Sequence, residues 1–150
     1  MMPSSELKRF RYFGGMPESV LDGIAAISTL RGFRVGDRLL EEAAPAKEMM
    51  IVKSGQLDIV YRLGDGREVT AESVGRGDVI GWSALLEPYL LTASVVGAKD
   101  GEVIVIAGEP LRQMCEVDAW LGYQLMIEIA RGLRDRLGGL RVQLAAAAHL

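Results

Sequence analysis

Residues 30–107 alternate short runs of β-forming residues with glycine-containing turns, and this pattern limits the possible folds more than any other feature of the chain. The runs that fit strands cover residues 49–52, 57–62, 69–74, 95–98 and 102–106. The turn signals are Gly36-Asp37, Ser54-Gly55, Gly64-Asp65-Gly66 and Gly77-Asp78. Of these, Gly64-Asp65-Gly66 suits a tight hairpin whose residues need a positive φ. Strands at this regular spacing predict a sandwich or a barrel.

Helical patterns lie on both sides of this region. Apolar residues at spacings of three and four predict an N-terminal helical cap over residues 1–29; they include Leu7, Phe10, Val20, Leu21, Ile24 and Ile27. After Pro110, which suits a first helical turn, the chain is predicted to be helical over residues 110–148, with an interruption near Asp118. The predicted layout is therefore α-β-α.

The last helix carries a long apolar stripe, formed by Leu125, Ile129, Leu133, Leu137, Leu140 and Leu144. A small barrel is too short to cover such a helix, so we predict a homodimer through this stripe. The alternative is that the stripe packs on the barrel of its own chain. The pair Gly138-Gly139 lowers helix propensity by about 1 kcal/mol per glycine relative to alanine, which predicts a bend or a close helix crossing.

Length and composition limit the chain to one domain, residues 1–150, because 49% hydrophobic residues supply one core at this size. The net charge of −3 gives no overall positive field, so neither direct nucleic-acid binding nor binding to an anionic membrane is expected. The arginines Arg131, Arg134, Arg136 and Arg141 are interpreted as a solvated face; the alternative is an approach to DNA.

The single cysteine, Cys115, is predicted to be a buried thiol of a helix, and one cysteine cannot form an internal disulfide. No signal-peptide core is present, and no run of about 18 apolar residues is free of charges and turn signals. We therefore predict a cytoplasmic, soluble chain that does not span a membrane.

Catalytic chemistry has no visible residues to carry it. The only histidine is His149, next to the last residue, where a catalytic or metal-binding role is not expected. No two carboxylates stand out as an acid–base pair. The sequence predicts a binding module with no catalytic residue, no metal site and no cofactor.

One segment interrupts the β pattern. Gly81 opens a short helix-like stretch over residues 82–86, and free N–H groups at such a start can hold an anion. A plain turn is the other interpretation.

Almost the whole sequence resembles the cyclic-nucleotide-binding domain family, which includes the sensor modules of catabolite-activator-type regulators. The resemblance rests on the glycines Gly36, Gly55, Gly77 and Gly81, on the run MMIVKSGQLDIV, and on the segments beginning at Pro110 and Ile129. It implies an α+β fold, with an eight-stranded-type antiparallel β-roll or jelly-roll barrel between N-terminal helices and a long C-terminal helix.

The resemblance also implies a cyclic nucleotide as a possible ligand and a site for it in the family's phosphate-binding cassette, here Gly81, Trp82, Ser83, Ala84, Leu85, Leu91, Thr92 and Ala93. Trp82 stands at the position of the family's glutamate and Leu91 at that of its arginine. Losing two charge-assisted contacts weakens binding by about two to four orders of magnitude, so tight cyclic-AMP binding is not expected. Trp82 is either a stacking platform or a plug, and Arg76 or Arg112 are candidates to compensate.

Three functions follow as hypotheses. The leading one is a stand-alone regulatory sensor whose diverged cassette is coupled to the dimerising helix. The second is the sensor fragment of a Crp/Fnr-type transcription regulator without its helix-turn-helix, since the alanine-rich end has no apolar pattern for one. The third is a structural dimerisation module with no ligand.

Overall fold

Six antiparallel strands form the middle of the chain in the computed structural model, which describes residues 2–148, so that His149 lies outside the described residues. The strands are β1 (Ser28–Phe33), β2 (Arg38–Leu40), β3 (Glu48–Arg62), β4 (Glu68–Val74), β5 (Val79–Ile80) and β6 (Ser94–Ala107). β6 pairs with β1, β2 and β3, and β3 also pairs with β4 and β5. This sheet with helices at both ends confirms the predicted α+β roll, although it does not close into a barrel.

The strand number differs from the eight-stranded type because two strands each join two of the predicted runs. β3 covers both 49–52 and 57–62, and β6 covers both 95–98 and 102–106. The β3–β6 register shifts at Ser54-Gly55, so this turn signal marks a bulge inside a bent strand. Gly55 has φ +82°, and a Cβ on it would lie 2.6 Å from the Asp100 carbonyl oxygen, so only glycine fits there.

The predicted hairpin lies between β3 and β4. The Leu63 N–H donates to the Arg67 carbonyl at 2.7 Å, and the Gly66 N–H donates back to the Leu63 carbonyl at 2.9 Å. Of the three central residues only Gly66 has a positive φ, at +87°, so the expectation of positive φ holds for one of them.

The helices are α1 (Ser4–Leu7), a 3-10 turn (Arg11–Phe13), α2 (Glu18–Ala26), α3 (Gly108–Val117) and α4 (Ala119–Ala148). The expected interruption lies at Asp118, which is extended. Its carboxylate accepts a hydrogen bond from the Leu121 N–H at 3.2 Å and so caps the start of α4.

Two apolar clusters share the sheet because side chains alternate along each strand. Met49 and Ile51 face the cluster made with the helices, whereas Met50 and Val52 face the interior of the roll. α4 contributes Leu121 and Leu125 to the first cluster. The start of α4 is therefore fixed on the roll by buried apolar contacts.

Candidate functional site

The cassette segment, residues 81–93, has a backbone that depends on its first residue. Gly81 adopts φ +73° and ψ 22°, and a Cβ on it would lie 2.8 Å from the Glu48 carbonyl oxygen. The following Trp82–Leu85 form a 3-10 helix, which ends one residue before the predicted 82–86 stretch. The segment returns to the roll at Leu91, whose N–H donates to the Ala44 carbonyl at 2.9 Å.

Most of the predicted site residues surround a cavity of about 30 Å³. Its walls include Gly81, Trp82, Ser83, Leu91, Thr92 and Ala93, together with Leu40, Ile59, Ile80, Val95 and Arg136. The other two predicted residues turn elsewhere: Ala84 packs in the interior of the roll and Leu85 packs against the helical cluster. A drug-sized ligand needs a pocket of about 300 Å³ or more, so the cavity in this conformation is nearly filled.

One of the N–H donors at the start of the short helix is used within the turn. The Ala84 N–H donates to the Gly81 carbonyl at 3.0 Å, so at least this donor is already used within the turn. The Ser83 side chain is buried and Thr92 is exposed, and both residues border the cavity. Hydroxyl groups are therefore the polar groups that the cassette itself places at the site.

Trp82 lines the cavity and is 8% exposed. Its ring packs on α4 at Gly132, where a Cβ would lie 2.8 Å from Cζ3 of the ring. The Arg136 guanidinium lies over the same ring, 4.6 Å from a centroid, and its Nε forms an ion pair with Glu72 Oε1 on β4. The Trp82 ring therefore fills space, and it also stacks on the Arg136 side chain of the same chain.

Gly132, Arg136 and Glu72 are the residues that sequence reasoning did not assign to the site. A spacing of four puts Gly132 and Arg136 on one face of α4, which is the available signal, but nothing in the sequence tells which face meets the cassette. The two predicted compensating arginines are engaged elsewhere. Arg112 donates to the Ala84 carbonyl at 2.6 Å and lies over the Tyr89 ring, whereas Arg76 donates to the Lys53 carbonyl at 2.8 Å.

A larger hollow of about 640 Å³ lies on the outer side of Trp82. The N-terminal 3-10 turn, β4 and α4 enclose it, and its charged lining residues are Arg9, Arg11, Arg76, Arg136, Glu72, Asp78, Glu128 and Asp135. Trp82 and Arg136 line both the hollow and the inner cavity, so this pair forms the wall between them.

The predicted leucine stripe of α4 divides into two parts. Leu125 and Ile129 are buried in the core of their own chain, so the expectation that they face a second chain is corrected: α4 lies on the roll there. From Leu133 onward the stripe is exposed, with Leu137 at 50% and Leu144 at 72%. Tyr123 and Met126 extend the exposed part toward the start of α4. α4 continues through Gly138-Gly139, and a Cβ on either glycine would meet no atom within 4 Å, so the close crossing expected there is not made within the chain.

The remaining candidate residues have ordinary surroundings. Arg131 pairs with Glu128 at 2.9 Å and Arg134 with Asp135 at 3.4 Å, as for a solvated helix face. Cys115 is half-buried, and burial together with the nearby Asp118 carboxylate raises the pKa of its thiol. Within residues 2–148, no three His, Cys, Asp or Glu side chains are grouped as metal ligands, and no helix is long and apolar enough to cross a membrane.

Comparisons of the sequence and of the structure with known proteins point to one family. The family model for the cyclic nucleotide-binding domain matches residues 30–118. The Anaerobic regulatory protein of Bacillus subtilis (strain 168) is 30% identical over 114 residues, which cover 74% of this chain and 47% of the relative. The chain thus spans about half the length of this curated relative.

Two solved structures show how far the fold extends. A protein from Geobacter metallireducens GS-15, described as cyclic nucleotide-binding, shares 31% identity at a TM-score of 0.81, covering 91% of this chain and 99% of that one. The regulatory subunit of a cAMP-independent protein kinase A from Trypanosoma brucei shares 20% identity at a TM-score of 0.74, covering 93% and 49%. The resemblance seen in the sequence is confirmed: the chain belongs to the cyclic nucleotide-binding domain family.

Proposed function

We propose that this chain is a regulatory sensor module in which a diverged cassette is coupled to a dimerising C-terminal helix. The observation that carries the proposal is the contact between Trp82 and α4, because it joins the ligand pocket directly to that helix. The module itself catalyses nothing in this proposal, and its output is the position of α4. The 30% identity to an anaerobic regulatory protein supports a regulatory role.

The pocket does not suit ordinary cyclic-AMP binding. The two positions where the family has charged anchors carry Trp82 and Leu91, both buried, and the space between them is about 30 Å³. A cyclic nucleotide would have to displace the Trp82 ring, and the cassette residues that line the cavity would offer it neither a carboxylate nor an arginine in return. The Trypanosoma brucei relative is the regulatory subunit of a cAMP-independent kinase, which supports the view that this fold also serves without cyclic AMP.

Coupling follows from the two sides of α4. Gly132 and Arg136 contact the cassette and the neighbouring strand, while Leu133, Leu137 and Leu140 lie on an exposed side of the same helix. A continuous apolar stripe of this kind is typically covered by a second helix. We therefore place the homodimer interface on the exposed stripe from Leu133 to Leu144, and any movement of Trp82 changes the position of the stripe.

Calorimetric titration with cyclic AMP and cyclic GMP tests the ligand part of the proposal. The expected result is no saturable heat at micromolar ligand, because the polar anchors are missing and the pocket is filled. Saturable micromolar binding of either nucleotide would show that the cassette works in the ordinary way and would overturn this part.

Replacement of Leu137 by Asp tests the dimer. A charge in the middle of an apolar interface loses its solvation, so we expect the dimer mass to fall to that of a monomer in light scattering. Val142→Asp is the matched control, because Val142 is exposed on the same helix but lies off the stripe. A monomeric wild-type chain, or a Leu137→Asp variant that stays dimeric, contradicts the proposed interface.

A second candidate, a structural dimerisation module without any ligand, is supported by the same filled cavity. The two candidates differ in whether the Trp82–α4 contact opens. A pocket that no small molecule enters, in a chain that still dimerises, favours the structural module.

A further inference from the structure

We infer that the pocket behind Trp82 takes a small apolar carboxylate, and that Arg136 of α4, rather than any residue of the cassette, is its charged partner. This inference rests on the proposed sensor function and specifies the ligand class of that same site. It starts from the wall between the two spaces, which is formed by the Trp82 ring and the Arg136 guanidinium. Moving this pair connects an inner cavity of about 30 Å³ with an outer hollow of about 640 Å³.

The lining of the inner cavity sets the chemistry of the ligand. Five apolar side chains line it: Leu40, Ile59, Ile80, Leu91 and Val95. Ser83 and Thr92 add hydroxyls, and Arg136 is the single charged residue among the described residues that line it. An apolar body with one negative group fits this combination, because the body replaces water at apolar walls and the charge meets a guanidinium.

Arg136 can change its partner. Its present partner is the Glu72 carboxylate, and both side chains keep some exposure, 19% for Arg136 and 24% for Glu72. Exchange of one carboxylate for another at a guanidinium conserves the charge pair, so the ligand needs to compete only with Glu72. The beginning of α4 stays fixed by Leu121 and Leu125 while this happens.

The other acids of the hollow are already engaged. Asp78 accepts a hydrogen bond from the Gly75 N–H at 2.9 Å, Glu128 pairs with Arg131 at 2.9 Å, and Asp135 pairs with Arg134. Three more arginines line the hollow, Arg9, Arg11 and Arg76, and they balance the remaining negative charge on the approach. The approach is therefore open to a monoanion.

Few contacts hold the second half of α4 on the roll. Besides the contacts of Gly132 and Arg136 with Trp82 and Glu72, Gln143 donates to the Ala71 carbonyl at 3.2 Å. Partly exposed polar contacts of this kind are weak. A ligand that takes Arg136 away from Glu72 also frees the Trp82 ring to move, and the exposed stripe of α4 moves with it.

The test uses the full chain carrying Trp120→Phe, which leaves Trp82 as the only tryptophan and changes an exposed residue outside the pocket. Its fluorescence is titrated with cyclohexanecarboxylate and with cyclohexanecarboxamide, which have the same body and differ in charge. We expect the carboxylate to bind about tenfold tighter or more, the usual effect of one charge-assisted contact. Equal affinities, or no binding of either probe, would overturn the inference.

Two further variants assign the effect to Arg136. Arg136→Gln should bring the affinity ratio of the two probes to about one, whereas Arg141→Gln, which changes an exposed arginine of the same helix that lines neither space, should leave the ratio unchanged. Glu72→Gln should tighten carboxylate binding by about three- to tenfold, because it removes the competing carboxylate. A preference for the carboxylate that survives in Arg136→Gln refutes the role of this residue. Dimerisation and the cyclic-nucleotide titration are measured separately, so failure here leaves the proposed sensor function to its own tests.

Discussion

Replacing Gly132 by alanine is the most direct test of the contact between α4 and the cassette. The new Cβ would lie 2.8 Å from Cζ3 of Trp82, closer than real Cβ atoms approach their neighbours, and 3.2 Å from Cη2. The atom it meets belongs to a rigid ring that the Arg136 guanidinium covers, so the ring has little room to move away. Either the ring or the helix must therefore shift.

Two opposing effects determine the size of the change. Alanine in a helix interior is favoured over glycine by about 1 kcal/mol. Overpacking against a rigid group costs about 1–3 kcal/mol. The net change in the free energy of unfolding of Gly132→Ala is thus between about zero and a loss of 2 kcal/mol.

Gly139→Ala is the matched control, since it lies in the same helix with no atom within 4 Å of the added Cβ. Free of overpacking, it should stabilise the chain by up to about 1 kcal/mol. The two variants are compared by urea unfolding at one protein concentration, because the proposed dimerisation would make the stability depend on concentration. If Gly132→Ala stabilises the chain as much as Gly139→Ala does, α4 does not lie against Trp82, and the proposed coupling between the cassette and α4 is refuted.

Three other predictions concern single residues. Trp82→Ala should lower the free energy of unfolding by about 3–5 kcal/mol in urea, as for other buried aromatics, and a loss below about 1 kcal/mol would show that the ring is not a plug. Burial, with the nearby Asp78, raises the pKa of Tyr12 to about 12. The contribution of the Tyr12 phenol to stability is therefore full below its unfolded pKa near 10 and is lost as the pH rises toward 12. Wild type should lose more stability than Tyr12→Phe over that range, and equal losses would contradict the assignment. The raised pKa of the Cys115 thiol predicts slower reaction with a thiol reagent at about pH 8 in the native chain than in the urea-unfolded chain, and equal rates would argue against burial.

The parts of the fold that the sequence predicts well are those set by local chemistry. Strands follow from short runs of β-forming residues, as at Met49 to Val52, and the break between α3 and α4 follows from Asp118, whose side chain caps a helix. The sequence does not predict that the runs join in pairs to form β3 and β6, because Gly55 has the pattern of a turn residue. In the structure its positive φ serves a bulge, and only the neighbouring strand decides between the two.

The candidate site is predictable only on its cassette side. Gly81 through Ala93 are contiguous, so their grouping is visible in the sequence and six of the eight named residues line the cavity. The residues that face the cassette are Gly132 and Arg136, about 50 positions later in the chain, and Glu72 of β4. Contacts such as Arg136 with Glu72 depend on the angle at which α4 crosses the roll, which is a property of tertiary packing.

The spacing of apolar residues explains why the stripe of α4 divides where it does. A step of four residues advances about 40° beyond a full turn, so Leu125, Ile129 and Leu133 move progressively around the helix and leave the roll. From Leu133 to Leu144 the steps alternate between four and three, which keeps the apolar side chains in one line. Arg136 lies about 40° from Leu140 around the axis, so the pocket side and the exposed stripe are adjacent. A small rotation of α4 that releases Trp82 must therefore turn the stripe by the same angle, and no separate element is needed to transmit the change.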